Sequence, residues 1–138
     1  NCKINVKKGS LFEPWHQEKF DLIIDDISGV SSEIAEICGW FDGVPCASGA
    51  GGDILTNNFL EDSVNYLNTG GIVFFPVISF SNIESILSTA KNNFDSVECV
   101  ARSDFMLPES LKSHIDILEK LKEAGYINFE NRFGTIIW

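Results

Sequence analysis

Positive charge is scarce in this sequence. Ten lysines and arginines stand against 20 aspartates and glutamates, a net charge of −10 over 138 residues. A field of that sign repels phosphate backbones and anionic bilayers, which excludes unspecific nucleic-acid or membrane-surface binding as the main activity. The only tight basic cluster, Lys3, Lys7 and Lys8, reads as the solvated side of a strand. Cysteine occurs four times, at Cys2, Cys38, Cys46 and Cys99, with no CxxC pair and no zinc-type spacing to a histidine. Reduced, mostly buried thiols and a cytoplasmic setting are expected. His16 and His114 are isolated, so no metal centre is expected. No apolar run reaches bilayer length and nothing reads as a signal peptide. The Gly-x-Ser-x-Gly elbow of hydrolases is missing. Gly49-Ala50-Gly51-Gly52 fails the dinucleotide fingerprint, because Ile54 stands where the third glycine belongs, and it reads as a flexible loop.

What is present is a regular alternation of short apolar runs and amphipathic stretches. One domain of 138 residues is long enough to bury a core without disulfides or metal. Residues 2–8 alternate Cys2, Ile4 and Val6 with Lys3, Asn5 and Lys7, the pattern of a strand with one wet face. Phe20 to Ile24 is a short apolar run stopped by Asp25-Asp26 and reads as a buried parallel strand. Ile34, Ile37, Cys38 and Phe41 share one helix face, with Ser31 or Ser32 placed to cap it. A second helix is expected from about Thr56 to Leu67, closed by Gly70-Gly71. Residues 72–78 form the most apolar strand, with Pro76 at its carboxyl end where pairing stops. Ser81-x-x-Glu84 reads as a capping box opening a helix with Ile83, Ile86, Leu87 and Ala90 on one face. A strand over 96–101, a helix from Pro108 to Gly125, and two runs, 126–130 and 133–138, complete the chain. The last two form either a hairpin or a single addition to the main sheet.

Strands separated by helices predict an α/β fold with a mainly parallel sheet and helices on both faces. Ligands of such sheets bind beyond the carboxyl ends of the strands. That rule selects Ser10–Phe12, Asp25–Gly29 and Val77–Phe80. The acid pair is the most pointed feature. Either one carboxylate orients an amine or hydroxyl and takes its proton, or one caps the next turn and the other is solvated. Gly29 either admits a ligand close to the backbone or is a turn glycine.

The run KKGSLFEPWHQEKFDLIIDDISGV resembles a stretch of class I S-adenosylmethionine-dependent methyltransferases, and FLEDSVNYLNTGGIVFFPV is similar to the helix, Gly-Gly turn and fifth strand of the same fold. The resemblance covers about residues 4–100 and is closest to the small-molecule and glutamine-modifying branch. It implies a Rossmann-like domain, 1–138, beginning at the family's third strand, without the glycine-rich segment that grips the methionine part of the cofactor. It implies that Ser10, Leu11 and Phe12 lie on the adenine side, with Ser10 in place of the family's acid. It further implies that Asp26 contacts cofactor and acceptor as the catalytic residue. Ile27, Ser28 and Gly29 then line the acceptor side, where the family carries Pro-Pro-Tyr. The implied activity is methyl transfer from S-adenosyl-L-methionine to an N or O acceptor, small molecule or protein. Two rivals are a methyltransferase-like module that binds a partner without catalysis, and another open-sheet enzyme acting on a small polar substrate. With the family's first strands missing, the edge of the 20–24 strand is expected to stand open, which allows a homodimer through that edge.

Overall fold

The computed structural model describes residues 3–27, 29–44 and 46–138. It is a mixed α/β structure whose central element is one parallel pair of strands, β1 (Phe20–Ile24) and β2 (Leu67–Phe74). Between them run α1 (Ser32–Cys38) and α2 (Ile54–Ser63). After β2 come α3 (Ile83–Asn93), α4 (Glu109–Lys112) and α5 (Ile115–Glu123). An antiparallel hairpin of β3 (Glu130–Arg132) and β4 (Thr135–Ile137) ends the order. Among the described residues, no helix is long and apolar enough to cross a membrane.

Two apolar clusters form. In the first, Ile23 of β1 meets Phe59 and Leu60 of α2, Ile86 and Ala90 of α3, and the ring of Phe12. In the second, Ile34 and Cys38 of α1 meet Phe80, Leu111 of α4, Leu118 and Leu121 of α5, and Phe129 beside the hairpin. Each helix turns its apolar stripe to one of these clusters, as its spacing requires. Gly39, at φ +69, ends α1 and Gly125, at φ +76, follows α5, both in the left-handed region that favours glycine. The expected 108–125 helix is broken at Ser113-His114 into α4 and α5.

The structure departs from the sequence pattern in further places. Residues 3–8 form no strand, and Ile4 and Val6 are exposed, because no second strand lies alongside among the described residues. Residues 96–101 likewise form no ladder, and Val100 is exposed. Gly70-Gly71 does not close a helix. It lies inside β2, where Phe20 pairs with Leu67 and Leu22 already pairs with Ile72, so residues 68–71 bulge out of the ladder. α3 is capped not by Ser81 but by Asn82, whose Oδ1 accepts from the Ser85 amide at 3.1 Å, while Ser81 Oγ donates to the Ile78 carbonyl at 2.7 Å. β1 is buried on one side only: α2 and α3 cover Ile23, whereas Leu22, Ile24, Ile72 and Phe74 form an exposed apolar face.

Two bounds also shift: α2 ends at Ser63 rather than at Leu67, which instead opens β2, and β2 ends at Phe74 rather than at residue 78. Pro76 lies just beyond the end of β2, where its missing N–H costs no ladder bond. The last two runs resolve as a hairpin around Phe133 (φ +54) and Gly134 (φ +85), two positive dihedrals of the kind that two-residue hairpin turns require. Cys38 is buried as expected, Cys99 is exposed, and Cys2 lies outside the described residues.

Candidate functional site

The site is built where β1 and β2 end. The Asp25 amide donates to the Phe74 carbonyl at 2.8 Å, extending the parallel ladder by one bond. The alternation that buries Ile23 then buries Asp25, 6% exposed, and turns Asp26 out to solvent. Asp25 Oδ1 accepts from the Ile27 amide at 2.8 Å, closing an Asx turn, and its Oδ2 is buried with no hydrogen-bond partner among the described residues. Burial pushes the Asp25 carboxyl up to about 6; the Ile27 N–H opposes that rise and the neighbouring Asp26 charge adds to it. Asp26 thus offers an exposed carboxylate, and Asp25 holds the turn that presents it.

The rest of this loop packs against the protein. Ile27 is half-buried against the first apolar cluster. Ser28 lies outside the described residues. A Cβ on Gly29 would sit 3.2 Å from Thr56 Oγ1, so the backbone's close approach here is to α2. The Ser31 amide donates to the Phe80 carbonyl (2.9 Å), Ser32 to Gly49 (2.9 Å), and Asn82 to Gly51 (2.7 Å). The Gly49–Gly52 segment is therefore not a flexible loop. Its Gly52 amide is spent on the Gly49 carbonyl, and a Cβ on Gly52, at φ +67, would lie 2.4 Å from the Ser31 nitrogen. These bonds tie the segment to the loops that precede α1 and α3.

The adenine-side residues are divided. Phe12 is buried, its ring stacked on Tyr66 at 4.5 Å and on Phe59 at 5.4 Å. Leu11 leans on the same cluster at φ +43. Only Ser10 is exposed. Its amide donates to Glu13 Oε2 at 3.2 Å, which sets a carboxylate beside the serine. Ser10, Glu13, His16, Asp62, Asn65 and Tyr66 help line a shallow hollow of about 340 Å³. Asp26 is not among its lining residues. Sequence reading passed over Glu13, although Ser10-x-x-Glu13 has the serine-to-glutamate spacing of a capping box.

A larger cavity of about 1120 Å³ runs along β2 toward the hairpin, walled by Ile72, Phe74, Phe94, Val97, Phe105 and Trp138 among others. Its rim carries Arg132, held by Asp104 at 2.8 Å and Glu130 at 2.8 Å. The sequence hints at it only through the apolar run at 72–78. Three more buried oxygens lack partners among the described residues, Ser31 Oγ, Asn57 Oδ1 and Ser79 Oγ. Ser31 precedes α1 as expected, but its side chain makes no cap hydrogen bond. No group of three or more His, Cys, Asp and Glu side chains suited to a metal ion occurs among the described residues. No protein-family model, curated protein or solved structure matches the chain.

Proposed function

We propose that this chain is part of a Rossmann-like methyltransferase domain that passes a methyl group from S-adenosyl-L-methionine to an N or O acceptor. The observation that carries the proposal is the division of labour at the end of β1. Asp25 is consumed in the turn, and Asp26 stands exposed beyond the carboxyl end of a strand paired in parallel. The cofactor supplies a methyl group on a positively charged sulfur. In this reading Asp26 accepts a hydrogen bond from the acceptor's N–H or O–H and fixes its lone pair in line with that methyl, so catalysis is chiefly positioning. Ser10 and Glu13 supply an acceptor pair for the adenine amine, Glu13 providing the charge that position 10 lacks. The hollow beside them lies in the size range of small-ligand sites.

Within these 138 residues no glycine-rich loop follows an apolar strand to hold the methionine part. Calorimetric titration of this chain with S-adenosyl-L-methionine is therefore expected to give no measurable heat, and micromolar binding would show that the reading as a partial domain is wrong. In a protein joining this chain to a glycine-rich cofactor half, Asp26→Ala is expected to lower kcat/KM for methyl transfer by about 10²-fold or more. Undiminished turnover would remove Asp26 from the site. The buried ring of Phe12 and the bare apolar face of β1 and β2 favour a second reading, a methyltransferase-like module that binds a partner without catalysis. That module would leave the joined protein without methyl transfer altogether.

A further inference from the structure

Two β-type pieces of the chain lack a ladder partner among the described residues. One is the outer edge of β1, which pairs only with β2. The other is segment 3–8, which lies outside any helix or ladder, with Ile4 85% and Val6 86% exposed. Their side chains are complementary in both respects that decide strand pairing. Leu22 and Ile24 are 51% and 69% exposed on one face of β1, and Ile4 and Val6 share one face of the segment. The segment carries the one basic cluster of a chain with net charge −10, whereas β1 contains Asp21 and is followed by Asp25-Asp26. In an antiparallel register with Val6 opposite Leu22, Ile4 falls opposite Ile24, so the two apolar pairs meet on one face.

We infer that segment 3–8 of one copy adds as a strand to the open edge of β1 in a second copy, giving a two-fold dimer by reciprocal strand exchange. A segment bound to its own loop cannot easily swing onto its own β1. Lys7 Nζ donates to the Pro14 carbonyl at 3.0 Å, pairs with Glu18 and lies over the Trp15 ring. Gly9 packs so closely on Pro14 that a Cβ would stand 2.3 Å from the proline ring, and Phe12 is sunk in the core. These anchors fix loop 9–19 and leave Ile4 and Val6 projecting outward. A second copy meets that projection with an edge of unpaired N–H and C=O groups, the usual template for strand addition. Because each copy owns one segment and one edge, the exchange closes on itself with no free end.

Light scattering at micromolar concentration tests this. The chain is expected at twice the mass of one copy, and Ile4→Asp with Val6→Asp is expected to return it to a single copy with its circular dichroism unchanged, since both side chains are exposed. A monomeric parent, or a dimer indifferent to the double substitution, overturns the inference. Val6→Cys with Leu22→Cys separates exchange from self-docking. Oxidation is expected to give a dimer on a non-reducing gel that the unsubstituted chain does not give, and a disulfide within one chain, or no new bond, overturns it.

Discussion

At Asp25 the backbone and the side chain make opposite demands. The ladder to Phe74 and the bond from the Ile27 amide hold the residue in the interior, and the interior disfavours its charge. The folded carboxyl is raised from 3.8 to about 6, so the fold favours the protonated form. The stability that Asp25 contributes is complete below about pH 4 and is lost as pH rises through about 6. Asp25→Asn keeps an acceptor for the Ile27 amide and removes the charge. It is expected to raise stability at pH 7 by about 1–2 kcal/mol and to leave stability at pH 3.5 nearly unchanged. Denaturant unfolding at both values decides it, and an equal difference at the two pH values would contradict the assignment. The acid pair was legible in the sequence as a candidate, but its division was not. Which carboxylate is buried depends on whether the strand's alternation continues past Ile24, and that rests on a hydrogen bond to Phe74, 49 residues away. Glu13 was hidden for a related reason: its carboxylate joins Ser10 only because a single helical turn, Glu13–Trp15, folds back there.

At the level of elements, the helices were legible and most strand partners were not. A helix satisfies its own backbone, so the spacing of Ile34 and Cys38, or of Leu118 and Leu121, is enough to place it. A strand exists only when another lies beside it, and among the described residues neither 3–8 nor 96–101 finds one. Gly70-Gly71 was misread because the same dipeptide suits a helix end and a bulge. Gly70 adopts φ +77, and a Cβ on Gly71 would stand 3.1 Å from the Phe20 carbonyl, so both glycines are required by β2 itself. The start of α3 was placed one residue early for want of knowing which side chain is free. Ser81 is committed to Ile78, which leaves Asn82 as the cap. Asn82→Ala is expected to cost about 1 kcal/mol of unfolding free energy, and Glu84→Ala less than about 0.5 kcal/mol. The reverse order of losses in urea titrations would restore the capping box.

On the scale of the whole molecule, the two apolar clusters are joined by loops. Phe80 belongs to the second cluster, and the next residue but one, Asn82, caps α3 against the first. The Asn128 amide, in the approach to the hairpin, donates to Ser79 at 2.6 Å. The consequence appears in the clock of solvent exchange. Loop amides ordinarily trade their hydrogens with water quickly, through small local openings. Those of Ser31, Asn82 and Asn128 are each bonded to the carbonyl of another loop beside a buried cluster, so in deuterium oxide they are expected to persist as long as the amides in the middle of α3 and α5. Their disappearance in the first minutes of a nuclear magnetic resonance time course, with the helical amides still present, would mean that the loops breathe independently of the core they bind together.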